Sequence, residues 1–488
     1  MKNIYVLKKT AWSLLLILVL GSCKDLFNVA DIKTKPNAVT DVDIPTLISG
    51  TEVGLAETYE DTQVRIAYIW AGQLAGLSRQ HQAFGNYIVS SNTFSWTNVY
   101  PIAGQARLIQ TKADALGDKW TKGVGEVIEA LLIAKVTDLY GDVPYSQAFD
   151  NLKYPTPVFD KQADVYTELL ATLDDAIQNL SASTGSDFST GDFLYGGDPA
   201  LWMKAAYTLE ARLYLHLGNY SKAISSATLG LASIKDDMLV PHGTSQGVDE
   251  NLNYDFFNNN RPGDTGFDPP AYLPVFMKSR IGSANTKTNE TAMYNHFFKS
   301  DITAVGALDP NIVDGVFTID APHPILTYYE NQLILAESYA RQNTLGSALT
   351  ALNTVRAGLN SGYIHGKSIL SKYTTGGNLR YDAYSSSDFD PSGLANPKNY
   401  PDQQSALLYE IISQKYIVML AQYEVYTDVR RLVKATPVIQ LSIPIPSTAQ
   451  TPTGTFPARY IYPQTELNTN PNTPNPAPDQ WQLLPIFQ

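Results

Sequence analysis

The chain has 488 residues, of which 47 are acidic and 35 basic, for a formal charge of −12. That balance argues against a nucleic-acid backbone or an anionic lipid surface as the main partner. A single cysteine excludes an internal disulfide and any metal site built from several thiolates.

The amino terminus carries Lys2, Lys8 and Lys9, an apolar run from Ala11 to Leu20, and then Leu20-Gly21-Ser22-Cys23. This is the pattern of an export signal over residues 1–22, since a spanning helix needs about 20 apolar residues. Cleavage before Cys23 would leave that cysteine as a lipidated first residue, so the mature protein is expected to be anchored to a membrane without crossing it. Loss of residues 1–22 removes three lysines and no acid, which takes the charge from −12 to −15.

Beyond a loop-like entry, Ile44 to Tyr59 reads as a helix, and Val64 to Leu77 as a second that the polar run Ser78-Arg79-Gln80-His81-Gln82 closes. Phe84 to Tyr100 is an aromatic loop, and Ala103 to Leu116 is helical again. From Glu126 the spacing of Val127, Ala130, Leu131, Ala134 and Leu139 predicts a buried helix stopped by Gly141, Asp142 and Pro144. A further helix follows from Lys161 to Leu180, with Val165, Leu169, Leu173, Ala176, Ile177 and Leu180 on one buried face.

Ala211, Tyr214, Gly218, Tyr220 and Ala223 fit the spacing of a tetratricopeptide helix pair, within 199–233. The same offsets return at Ala336, Tyr339, Asn343, Leu345 and Ala348, within 328–358. Asn343 stands where the first copy has glycine, at a turn that calls for left-handed backbone. Between the copies, about 235–323, lies an insert with few periodic stretches but many aromatic residues. A long connection of this kind is usually functional. The last pair spans 402–434, where Glu424 and Asp428 are placed to share a face with Arg431 in a buried ion network. A Pro- and Asn-rich tail ends the chain. The expected fold is therefore dominated by α-helix, with tetratricopeptide-like pairs near 126–180, 199–233, 328–358 and 402–434.

The segment Leu139-Tyr140-Gly141-Asp142-Val143-Pro144-Tyr145-Ser146 behind an Ala-rich helix resembles the signature of the SusD/RagB-like family of surface nutrient-binding lipoproteins. The terminal Asp-Val-Arg-Arg-Leu helix and the tail from Pro457 to Asn468 resemble the family as well. The resemblance implies one domain over 23–488, helix pairs in a right-handed superhelix, and an outward-facing outer-membrane anchor. Lys24-Asp25 matches part of the family's export tag, with Leu26 where a second acid would stand. The implied partner is a SusC-like TonB-dependent transporter docked on the repeat face, with a glycan or peptide ligand bound by the aromatic inserts on the opposite side. It nominates Arg79, Trp96 and Asn98, faced by Tyr254, Phe257 and Tyr272 of the insert, as ligand contacts that matter more for binding than for stability.

Catalytic motifs are absent from the sequence: no phosphate loop, no zinc helix, no nucleophile elbow. No cofactor or metal is expected. A helical glycoside hydrolase with two carboxylates, and a protein-binding scaffold or adhesin, remain the alternatives.

Overall fold

The computed structural model describes residues 42–281, 283–300, 308–452 and 454–487; Cys23 and the rest of the export and anchoring region lie outside them. Its helices follow one another closely. They are α1 (Ile44–Tyr59), α2 (Thr62–Trp70), α3 (Arg79–Gly85), α4 (Val99–Leu116), α5 (Lys119–Tyr140), α6 (Gln162–Leu180), α7 (Pro199–His216) and α8 (Tyr220–Leu229). After the insert come α12 (Tyr328–Arg341), α13 (Leu345–Asn360), α14 (Gln403–Val418), α15 (Glu424–Arg431) and, in the tail, α16 (Gln464–Thr469). The insert itself supplies α9 (Leu252–Asp255), α10 (Leu273–Ile281) and α11 (Thr291–Phe297). Among the described residues the strands are short and form two-stranded ladders only. The fold is helix-dominated, as the periodicity predicts.

Packing runs along the sequence. Each helix from α4 to α8 packs on the next, α8 passes the stack to α12, and α12 packs on both α13 and α14. Helix α5 lies in the middle, touching α1, α4, α6 and α7. Every residue from Gly123 to Tyr140 is accordingly buried, which explains why its apolar pattern is continuous rather than one-sided. Helix α6 buries the Val165, Leu169, Leu173, Ala176, Leu180 stripe, with Gln162 and Tyr166 at its start, while Ile177, at the edge of the expected face, is only half-buried. Side-chain caps start several of these helices: Asp118 on Thr121 N, Asp198 on Ala200 N, Thr327 on Glu330 N and Asp402 on Ser405 N.

The stop after α5 is built from several polar ties. Gly141 sits at φ 88, ψ −122, a region other residues avoid. Asp142 accepts from Gln162 N at 2.9 Å. Asp160 accepts from Tyr145 N and Ser146 N, each at 2.8 Å. The tail then straps this turn: Tyr460 N donates to Leu139 O at 2.8 Å, Tyr462 Oη donates to Asp142 O at 2.7 Å, and the Arg459 guanidinium reaches Tyr140 O.

Three expectations need correction. The polar run after α2 does not close a helix; Arg79–Gly85 is itself helical, because α2 ends at Trp70 and β1 (Ala75–Gly76) intervenes. The insert is not structureless, since its short helices and ladders tie it to the body, with Ala75↔Gly266 and Gly76↔Thr265 paired antiparallel. In the last pair Asp428 does meet Arg431, but Glu424 turns away from it to His216 (2.7 Å) and Lys415 (3.8 Å), while Arg431 forks onto Glu337. No helix among the described residues is long and apolar enough to cross a membrane.

Candidate functional site

Residues 262–273 of the insert run back along residues 72–79. The β1 ladder, the Tyr272 N to Gly72 O bond at 2.7 Å and the Leu273 N to Gly72 O bond at 3.1 Å hold the two segments together. This seam positions two of the nominated residues. Arg79 begins α3 at φ 49, a left-handed geometry that costs a non-glycine residue about 1 kcal/mol or more. Its guanidinium pairs with the wholly buried Asp264 while half of the side chain stays exposed. Asp264 also accepts from Ser78 Oγ at 2.8 Å and faces His81 Nδ1 at 3.2 Å. Burial opposes the Asp264 charge, yet these three hydrogen bonds outweigh it and hold the carboxyl below its usual pKa. His81 is pushed down to about 4 by burial and then by the Arg65 charge, so it is neutral at pH 7.

Tyr272 lies at the other end of the seam and lines a cavity of about 770 Å3. That volume is within the roughly 300–1,000 Å3 that small-ligand sites occupy. Tyr272 and Phe276 stack at 5.5 Å and 25°, one helical turn apart, and Tyr409 also lines the space. Polar side chains complete the lining, among them Ser279, Asn285, Asn396 and Asn399. Lys398 lies 5.8 Å from the Tyr409 ring centre. Behind them Arg280 is gripped by two carboxylates, Glu290 (2.9 and 3.0 Å) and Glu410 (2.9 and 3.0 Å). Burial would raise the Glu410 pKa, but Arg280 overrides it and the carboxyl stays ionised. An aromatic face beside amide and hydroxyl groups can stack a sugar ring and hydrogen-bond its hydroxyls.

The remaining nominated residues fall elsewhere. Trp96 is 5% exposed, with ring centres at 5.0 Å from Tyr140, 5.8 Å from Tyr100 and 5.9 Å from Tyr462. Its ring packs between the signature turn and the tail, so its burial adds a packing role to the expected ligand contact. Asn98 is exposed at the start of α4 and makes no cap bond there. Tyr254 is half-buried, its hydroxyl accepting from Asn258 Nδ2 at 3.1 Å. Phe257 is buried against Phe256 (5.4 Å) and Phe317 (5.2 Å), so it belongs to the insert's own core rather than to a ligand wall. Of the Tyr272 cavity, sequence reasoning missed Arg280, Asn285, Tyr409 and the 392–399 loop. The Tyr272/Phe276 spacing of four was the one readable signal, because the other segments meet only in the folded chain.

A cluster of ionisable groups also forms away from the Tyr272 cavity, among Asp138, His216 and Glu424. His216 Nε2 lies 2.7 Å from Glu424 and Nδ1 lies 3.6 Å from Asp138 and 3.0 Å from Tyr166 Oη. Burial lowers the imidazole pKa, but Glu424 and then Asp138 outweigh it and raise it to about 9. The ring is therefore a buried cation between two carboxylates, with both nitrogens engaged.

Comparison with solved structures gives the same architecture. A SusD/RagB family protein from Bacteroides thetaiotaomicron is 22% identical with a TM-score of 0.64, over 88% of this chain and 95% of that one. A SusD homolog from Bacteroides fragilis is 20% identical with a TM-score of 0.68, over 92% and 100%. A chitin-binding SusD homolog from Flavobacterium johnsoniae is 16% identical with a TM-score of 0.64, over 90% and 98%. Curated protein sequences give no match. The family model described as "Starch-binding associating with outer membrane" matches residues 36–463, nearly the whole described chain, and the protein belongs to this SusD-like family.

Proposed function

We propose that the protein binds an oligomeric glycan outside the outer membrane and passes it to a SusC-like TonB-dependent transporter, held to the membrane by a lipid on Cys23. The observation that carries the binding half is the Tyr272 cavity, where a stacked aromatic pair faces amide and hydroxyl side chains. Its volume takes a few sugar rings rather than a polymer, which suits capture of one end or one stretch of a longer chain. The family's starch-binding description and the chitin-binding relative support a glycan over a peptide. Arg79, half-exposed on a strained backbone at the other end of the same seam, is the nominated residue best placed to extend that surface. The Glu410 carboxylate that lines the cavity is bound to Arg280, which leaves it in a wall rather than as a free acid or base, and favours a binder over a hydrolase.

A glycan screen with the purified protein tests this reading. Binding of at least one soluble oligosaccharide, weakened about tenfold or more in Tyr272→Ala through loss of one stacking face, is the expected result. Equal affinity in Tyr272→Ala, or release of shortened products from the bound glycan, would overturn it. Co-purification with the transporter would support the second half, and in cells that lack the transporter Cys23→Ala should leave the outer-membrane fraction.

A further inference from the structure

A second groove lies between the signature turn and the tail, and it shares no lining residue with the Tyr272 cavity. It holds about 310 Å3 and is lined by Trp96, Tyr100, Pro144, Pro155 and Pro157 on the body side and by Glu466 with its neighbours on α16. Aromatic and proline faces make an apolar wall, and Glu466 is the one ionisable acid or base other than Tyr100 among the lining residues. Its carboxylate is fixed in place. Asn470 Nδ2 donates to Glu466 Oε1 at 2.7 Å and also to Pro157 O at 2.8 Å, so one amide ties the acid to the opposite wall. The Tyr100 hydroxyl, which donates to Pro144 O at 2.7 Å, is pushed well above its usual pKa first by burial and then by the Glu466 charge.

Two other carboxylates beside aromatic rings come with their own cation. Arg107 lies 4.2 Å from the Phe149 ring centre and 2.8 Å from Glu129; Arg280 lies 5.7 Å from the Phe276 ring centre and 2.9 Å from Glu410. The groove has the carboxylate and the rings, but Glu466 forms no ion pair with any described residue. A cation seated there would gain an opposite charge and an aromatic wall in one place. A neutral sugar would gain the wall and hydroxyl hydrogen bonds to the carboxylate, but no opposite charge.

We propose that this groove is a second ligand site, specific for a protonated amine carried on a sugar ring. The ammonium meets Glu466, and the ring lies along the Trp96, Tyr100 and proline faces. Its occupant would differ in charge from that of the Tyr272 cavity, so the two sites are separable by experiment.

Calorimetric titration of the Tyr272→Ala protein with a β-1,4-linked glucosamine trimer and with its fully N-acetylated counterpart tests the proposal. The two probes share their backbone and differ in charge. The expected result is binding of the amine form at least about tenfold tighter than the acetylated one, with the difference abolished in Tyr272→Ala/Glu466→Gln. Gln preserves an acceptor for Asn470, so the groove keeps its shape in that variant. Equal affinities for the two trimers, a preference that survives Glu466→Gln, or no binding of the amine form at millimolar concentration each overturns the proposal. Neutral-glycan binding to the unaltered protein is unaffected by any of these outcomes.

Discussion

Gly218 and Asn343 occupy equivalent turns of the two helix pairs and adopt the same left-handed backbone, at φ 67 and φ 57. Gly218 N bonds to Leu215 O at 3.0 Å and Asn343 N to Ala340 O at 2.9 Å, each in the turn that follows a repeat's first helix. A side chain at Gly218 would meet nothing closer than Tyr220 Oη at 4.0 Å, so strain rather than collision decides its effect.

Gly218→Ala is therefore expected to destabilise by about 1 kcal/mol, and Asn343→Val by roughly 1–2 kcal/mol because a β-branched residue tolerates this region least. Asn343→Gly should be close to neutral. Chemical denaturation of the three variants checks this, and a Gly218→Ala protein as stable as the parent would remove the claim that the turn selects its residue by backbone alone.

Trp96→Ala is expected to cost roughly 3–5 kcal/mol, the usual range for truncating a buried tryptophan. The ring bridges Tyr140 at the end of α5 and Tyr462 in the tail, so its loss should also loosen the strap. A fall in melting temperature together with faster hydrogen exchange in residues 457–463 is the expected pattern. An unchanged melting temperature would return Trp96 to the role of a surface contact.

His216 makes stability depend on pH. Its folded pKa is raised to about 9 from 6.5, so its contribution is complete below the unfolded value and is lost as pH rises through the folded one. A shift of that size corresponds to roughly 3 kcal/mol between about pH 6.5 and 9. The unaltered protein should lose stability across this window. Gln at position 216 should flatten that slope while lowering stability at pH 6.5, since Glu424 and Asp138 lose their buried cation. A slope equally steep in His216→Gln would place the titrating group elsewhere.

The helical frame was legible because α6 repeats its apolar face every three to four residues, and because the Gly218 and Asn343 turns recur at one spacing. The α3 helix was not, since its seven residues carry too few apolar positions for a period to show. Glu424 misled for a different reason: local spacing put Arg431 within reach, but His216, brought in by α7, offered a closer partner. Phe257 and Tyr272 looked alike as aromatic residues of one insert. Their burial separates them, and burial depends on which distant segment each meets.

Arg280 shows how such meetings hold the candidate ligand wall. It reaches from α10 to Glu290, just before α11, and to Glu410 on α14, and Glu410 in turn accepts from Tyr384 Oη at 3.3 Å. Both acids are buried, so Arg280→Met would leave two carboxylates with one guanidinium fewer between them. Arg356, 3.7 Å from Glu410, compensates only part of that charge. Removing one partner of a buried pair typically costs about 3–5 kcal/mol, so Arg280→Met should unfold at markedly lower denaturant. Adding Glu290→Gln and Glu410→Gln to Arg280→Met removes the stranded charges and should recover part of the loss. In the folded triple variant Tyr272 and Phe276 keep their places at the start of α10 but lose the tie between α10 and α14. Glycan affinity is then expected to stay below that of the parent even where stability returns. Full recovery of affinity in the triple variant would show that the ion pairs hold the fold and leave the aromatic platform unaffected.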